Sequence, residues 1–199
     1  VMASGAGTNF QAVIDAMPAG LGLDLQALVV NRGSAFAIER AKRAGIPAHV
    51  CAWDRKMVSR ERYDTELIET IERTEPELIL MLGWMHLVSP DFFRRLPRAL
   101  NIHPAFLPHD SRADTIVMPD GQVIPAFRGA HAIRDALENK SPWYGATAHY
   151  VTTEVDRGEV LLRAPLPLVE EDEATALAAL HPFEHKMLLG AIRRILAER

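Results

Sequence analysis

From Glu77 to Leu82 the chain reads Glu-Leu-Ile-Leu-Met-Leu, a continuous apolar run of strand length. A strand with no polar alternation must be covered on both faces, as central strands of parallel sheets are. Leu23–Val30 reads as a second buried strand and Ile46–Val50 as a shorter one. Val1-Met-Ala3 reads as the tail of another, whose front is expected to lie outside this sequence. Segments with helical apolar spacing fall between them. These are Phe10–Met17, Ala35–Ala44 with Ser34 as cap and a stop at Gly45, and Ser59–Thr74 with a solvated Glu/Arg face. Ser89-Pro90 opens a further helix with proline at its first position. Strands that alternate with helices build a mostly parallel sheet through right-handed crossovers. The expected class is α/β, a Rossmann-like sheet with helices on both faces.

The pattern changes after Pro108. Val117–Ile124 carries Asp-Gly between short apolar flanks, a hairpin signal. A helix is expected from Gly129-Ala-His131 through Asn139, then strands at Gly145–Val151 and Glu159–Ala164. Thr152–Gly158 joins those strands and carries Asp156. The last helix is expected over about Glu173–Ala197, where Pro182 implies a kink or a late start near His181. This antiparallel C-terminal part belongs to the same domain, because no linker, repeat or low-complexity tract separates it.

Composition narrows the functional classes. The 199 residues are 48% hydrophobic and 24% charged, an ordinary globular balance. The net charge of −4, without a basic run, argues against a nucleic-acid surface. No apolar stretch approaches a membrane span. A single cysteine, Cys51, excludes an intrachain disulfide and suits a reducing, cytoplasmic setting. Eight histidines are present without metal-ligand spacing, so no metal is expected.

Two stretches carry chemistry. Ser4-Gly-Ala-Gly-Thr-Asn9 lies between a strand and a helix. Such a turn brings backbone N–H groups and a helix N-terminus toward an anion. It is equally a tight turn with Thr8 or Asn9 as N-cap, and the two readings are compatible. In Ala99–Pro108, Asn101 and His103 are separated by Ile102. Pro104 keeps His103 out of helical angles, and alternate residues of an extended chain face one side. Both should therefore look into the space beyond a strand end, where open α/β sheets bind ligands. An amide can hold a developing oxyanion and an imidazole can move a proton. The plainer alternative is that both satisfy loop backbone.

Taken together, these pieces resemble the folate-dependent glycinamide ribonucleotide formyltransferases over nearly the whole chain. The fragments are Ser4–Ala12, Ser59-Arg-Glu-Arg-Tyr63, Asn101-Ile-His-Pro104, Val151–Gly158 and Phe183-Glu-His185, in the family's order. The resemblance implies one formyltransferase domain over 1–199, with a phosphate and ribonucleotide half at 1–100 and a catalytic, folate-side half at 101–199. It implies transfer of a formyl group from 10-formyltetrahydrofolate, a co-substrate, to glycinamide ribonucleotide in purine biosynthesis. Asn101, protonated His103 and Asp156 are the implied catalytic set. Gly5, Gly7, Thr8 and Asn9 would bind the substrate phosphate. Arg60, Gly83, Pro104, His181 and Glu184 would bind the rest of that substrate. Met85, His86, Leu87, Val88, Gly129, His149 and Thr152 would line the folate. The partners are then these small molecules, without nucleic acid or membrane, and the protein a monomer or homodimer.

The chain departs from the family at His86, where relatives usually have arginine, and at His181, where a longer polar side chain is common. The stretch between Pro108 and Gly129 is also longer than usual. Its hairpin is expected to pack as a partial lid over the folate, or else to decorate the surface or meet a second subunit. Formyltetrahydrofolate deformylase shares the Asn, His and Asp set, and Gly145–Tyr150 looks much like it. It normally carries a further N-terminal domain and lacks this Gly-rich loop. Methionyl-tRNA formyltransferase shares the set too, but needs a C-terminal RNA-binding domain. A non-catalytic nucleotide-binding module would leave Asn101, His103 and Asp156 unexplained.

Overall fold

The structure, a computed structural model, describes residues 1–198. It contains two compact units, one from Val1 to Leu100 and one from Asn101 onward. In the first, β1 (Met2–Ala3), β2 (Leu28–Val30), β3 (Ala48–Val50) and β4 (Ile79–Met81) lie in the order β3-β2-β1-β4. All the pairs are parallel, with Ala3 opposite Val30 and Met2 opposite Met81. The strands are shorter than the apolar runs that signal them, because the flanking residues leave the ladder for loops.

Helices α1 (Thr8–Ala16), α2 (Ala37–Arg43), α3 (Arg60–Glu72) and α4 (Pro90–Arg95) connect these strands and lead to β5 (Ala99–His103). In α3, Ser59 caps the helix by accepting from the Arg62 N–H at 3.3 Å. Its buried stripe is Tyr63, Asp64, Leu67, Ile68 and Ile71, the spacing of one helical face. Two expected caps are corrected. Ser34 does not open α2, which starts at Ala37 with Phe36 at the cap position and no side-chain bond. At α1 the cap residue is Gly7, so Thr8 and Asn9 already lie inside the helix.

The second unit continues β5 from Asn101 beside β8 (Trp143–Tyr150), which pairs antiparallel with β9 (Val160–Pro167). Helix α6 (Glu173–Ala197) packs on both. Asp172 caps it by accepting from the N–H groups of Ala174 and Thr175 at 2.9 and 3.0 Å. The helix therefore does not start late near His181. Its buried stripe runs from Ala176 and Leu180 through Glu184 to Leu188, Ala191, Ile192 and Ile195. That stripe continues past Pro182, so packing along one face holds the helix through a residue that would otherwise break it.

The hairpin forms as expected, from β6 (Thr115–Val117) and β7 (Val123–Pro125), with Ile116 opposite Ile124. Alternation gives it one buried side. Ile116, Met118 and Ile124 join Ala105, Phe106, Phe127 and two alanines of α5 (Ala132–Glu138) in a local core. Trp143 Nε1 donates to Asp120 at 2.8 Å and pins the tip. An isolated hairpin is marginal in water, and this one finds its apolar cover inside its own unit. It is the return limb, Ala126–Gly129, that carries contacts to His103 and Asp156.

Candidate active site

In the first unit the chain visits β2 and β3 on one side of β1, then crosses to β4 on the other. Strand order reverses between β1 and β4, and the crevice beyond the carboxyl ends at such a point is the usual ligand position. The Gly-rich loop leaves β1 there and the Gly83–Val88 loop leaves β4. Two bonds stitch them together. The Ser4 N–H donates to the Gly83 carbonyl at 3.1 Å, and the Met85 N–H donates to Ser4 Oγ at 2.9 Å.

Gly7 is required twice. Its φ of 70° is left-handed, and a Cβ there would lie 2.8 Å from that of Ala37. Arg40 of α2 braces the loop, donating through Nε to the Ala6 carbonyl at 2.8 Å and to Gln11 at 3.0 Å. Nothing in the local pattern marks Arg40, which reaches the loop only because α2 packs beside it. It adds positive charge where an anion would bind at the start of α1.

Arg60 is engaged within its own unit. It chelates Asp64 at 2.8 Å, donates to the Leu87 carbonyl and lies 5.0 Å from the Trp53 ring centre. It thus ties α3 to the Gly83–Val88 loop. In that loop Met85 and Leu87 are exposed apolar side chains, and Val88 is half-buried. His86 packs edge-on against Trp53, Tyr63 and Trp84, its Nδ1 3.3 Å from the Tyr63 hydroxyl. Burial, then the charges of Arg60, Arg55 and Arg32, hold His86 below its ordinary value. It is therefore an uncharged polar group at neutral pH, unlike the arginine usual in the resembled family.

The second unit brings Asn101, His103 and Asp156 together, with His149 as a fourth member. The Asp156 carboxylate lies between two imidazoles, 3.5 Å from His103 Nδ1 and 3.5 Å from His149 Nε2. Asn101 Nδ2 is 3.2 Å from the same His149 nitrogen. His149, expected along the folate, is only 1% exposed, with its Nε2 against Asn101. A register irregularity falls between Ala148 and His149, the kind of bulge that re-aims a side chain beside a site. Thr147, two residues earlier, donates to the Ala105 carbonyl at 2.6 Å and accepts from the Leu107 N–H at 3.0 Å. It thereby fixes the loop that begins at Pro104.

Hydrogen bonding assigns the protons. His149 Nδ1 lies 2.9 Å from the Tyr150 carbonyl and must donate to it, so in the neutral ring Nε2 accepts from Asn101. His103 Nε2 donates likewise to the Phe127 carbonyl at 2.9 Å. Burial pushes His103, 4% exposed, below its ordinary value, and the pull of Asp156 and that carbonyl does not overcome it. The resemblance implies a protonated His103; burial instead favours the neutral ring before reaction. Burial acts to raise Asp156, but the hydrogen bond with His149, the attraction of His103 once its ring is charged and the Gly129 N–H outweigh it and hold the carboxyl at about 2. An ionised carboxylate therefore faces His103 Nδ1, the nitrogen free to accept a proton in the neutral His103 ring. A proton delivered there is stabilised as an imidazolium–carboxylate pair.

Residues 1–192 match the Formyl transferase family model. The chain belongs to the formyl transferase family. Phosphoribosylglycinamide formyltransferase of Escherichia coli is 37% identical over 88% of this chain and 77% of its own length. The protein of that name from Schizosaccharomyces pombe is 35% identical over 100% and 96%. The crystal structure of glycinamide ribonucleotide transformylase 1 from Symbiobacterium toebii superposes with a TM-score of 0.85 at 32% identity, covering 100% of this chain and 86% of that one. The formyl transferase fold agrees with the expected α/β class, a mostly parallel sheet with an antiparallel C-terminal part.

The remaining expected residues of this formyl transferase lie as follows. Glu184 is buried on α6, 3.9 Å from His181 Nε2 one turn earlier. The Gly129 N–H donates to Asp156 at 2.7 Å, and the exposed Thr152 donates to the Glu154 carbonyl at 2.9 Å. Among the described residues no group of three or more His, Cys, Asp or Glu could hold a metal ion, and no helix is long and apolar enough to cross a membrane.

Proposed function

We propose that this formyl transferase moves the formyl group of 10-formyltetrahydrofolate to the amine of glycinamide ribonucleotide, in the cytoplasm, as a monomer or homodimer. What supports this reading most is the Asp156 carboxylate held between His103 and His149 with Asn101 alongside. The amine attacks the formyl carbon, and the carbonyl electrons move onto oxygen. Asn101 spends one amide N–H on His149 and has a second for that oxyanion. The amine proton passes to the His103–Asp156 group. The tetrahedral intermediate then collapses, breaking the bond from carbon to N10, and that nitrogen takes up a proton.

The Gly5–Asn9 loop binds the ribonucleotide phosphate, with Arg60, Gly83, Pro104, His181 and Glu184 serving the rest of that substrate. Met85, His86, Leu87, Val88, Gly129 and Thr152 serve the folate, with His149 supporting it through Asn101. The decisive experiment supplies 10-formyltetrahydrofolate with glycinamide ribonucleotide, with water alone, or with methionyl-tRNA, and follows loss of the donor. Rapid loss is expected only with the ribonucleotide. Equal loss in water alone would make the protein a hydrolase.

The phosphate assignment has its own probe. A Cβ at Gly5 meets nothing within 4 Å, so Gly5→Val should fold normally while crowding the anion. The ribonucleotide KM should rise roughly tenfold, about the loss of one charge-assisted hydrogen bond. The folate KM should stay put. A parallel rise in both would sink the assignment.

A further inference from the structure

The long stretch after Pro108 meets the Asp156 loop through one carboxylate. Asp114 Oδ1 accepts from Arg128 at 3.1 Å and from Arg157 at 2.6 Å. The same two guanidinium groups hold the backbone just before it. Arg128 donates to the Ala113 carbonyl at 2.7 Å and Arg157 to the Ser111 carbonyl at 2.6 Å. The Ala126 N–H closes the set by donating to the Asp114 carbonyl at 2.9 Å.

Both arginines border the catalytic carboxylate. Arg157 is the next residue after Asp156. Arg128 donates through Nε to the Asp156 carbonyl at 3.3 Å, and its neighbour Gly129 donates to the Asp156 side chain at 2.7 Å. Asp156 has a φ of 52°, left-handed for a residue other than glycine. Such a conformation persists only where its surroundings hold it. Arg128 and Gly129 supply that hold at the main chain and the carboxylate together.

From this geometry we infer that Asp114 is a positioning residue for formyl transfer, clasping Arg128 to Arg157 so that the Asp156 carboxylate stays between His103 and His149. The inference rests on the catalytic reading of Asp156. Asp114 is 72% exposed in its side chain, and exposed ion pairs contribute little to stability. Its effect is therefore on place. Without it, two guanidinium groups that share one anion are left to repel each other across the base of the Asp156 loop. Glu154, 3.8 Å from Arg157 Nε, sits on that same loop and cannot tie it to the preceding segment.

The test compares Asp114→Ala and Asp114→Glu with the unmodified chain. Steady-state kinetics are measured for both substrates, and the Gly129 amide proton is followed by NMR as a report on the Asp156 carboxylate. Asp114→Ala should lower kcat about tenfold, the scale of a small misplacement at a reacting group. Both KM values should stay within about twofold, because no group assigned to either ligand is removed. The Gly129 signal should move upfield, and Asp114→Glu should recover part of both changes. Should Asp114→Ala fail to fold, Asp114→Asn keeps the shape, removes the charge and is read by the same criteria. An unchanged kcat overturns the inference, as does a lowered kcat with an unmoved Gly129 signal. A raised kcat also overturns it. Asp156→Asn is run in parallel. If that variant keeps full turnover, the catalytic reading fails, while the Gly129 shift still reports whether Asp114 positions the loop.

Discussion

Alanine at His103 is expected to lower kcat by about 100- to 1,000-fold and leave both KM values near those of the unmodified chain. The same range is expected for Asn101→Ala and Asp156→Ala. Each removes a group that matters most once charge develops. On the proposed reading, Asn101 offers an N–H to the oxyanion, His103 takes the proton, and Asp156, with its carboxyl held at about 2, pairs the imidazolium that results. The losses should not add in a double variant, because all three act through one cluster. Circular dichroism and melting curves separate lost chemistry from lost folding. His103 needs that control most, since its ring is buried and hydrogen-bonded to Phe127. Near-normal turnover in any two of the three would refute the assignment.

Gly158→Ala should destabilise the fold by about 3 kcal/mol or more, the upper range for a buried side chain that its surroundings cannot accommodate. A Cβ there would fall 1.6 Å from the Tyr150 carbonyl oxygen and 2.6 Å from its carbon. Both are main-chain atoms, so no side-chain rotation relieves the overlap. The Tyr150 N–H donates to the Glu159 carbonyl at 2.9 Å, and the ends of β8 and β9 would have to part. Asp156 lies on the loop between those ends, so turnover should fall along with stability. Urea denaturation gives the first quantity and the formyl-transfer assay the second. Gly5→Val, with open space around its Cβ, is the matched control and should melt with the unmodified chain. A Gly158→Ala variant with an unchanged denaturation midpoint would show that the two strand ends separate at little cost.

Local pattern was enough for much of the architecture. The apolar run at Glu77–Leu82, the helical spacing of Ser59–Thr74 and the Asp-Gly turn at Asp120 are short-range signals. A strand, a helix and a hairpin stand there. Alternation alone brought Asn101 and His103 to one side of β5, because side-chain direction on an extended chain depends only on the parity of position. Asp156 was legible only through resemblance, since nothing in Thr152–Gly158 marks one acidic loop residue above another. Local reasoning was weakest where packing competes with a local rule. Ser34 has a capping side chain, yet α2 begins three residues later. Pro182 breaks isolated helices, yet α6 runs through it because one buried stripe lies on β8 and β9.

The chemical state of the cluster belongs entirely to tertiary structure. His103 meets the carbonyl of a residue 24 positions away, Asn101 meets His149 at 48, and Arg157 meets Asp114 at 43. No periodic pattern spans such distances. They arise when a hairpin covers Phe106 and when β8 lies beside β5. Burial then pushes His103 below its ordinary value, while backbone carbonyls place the ring protons of His103 and His149. The residue types were therefore readable in the order of the chain, whereas their protonation and mutual positions came only with the folded environment.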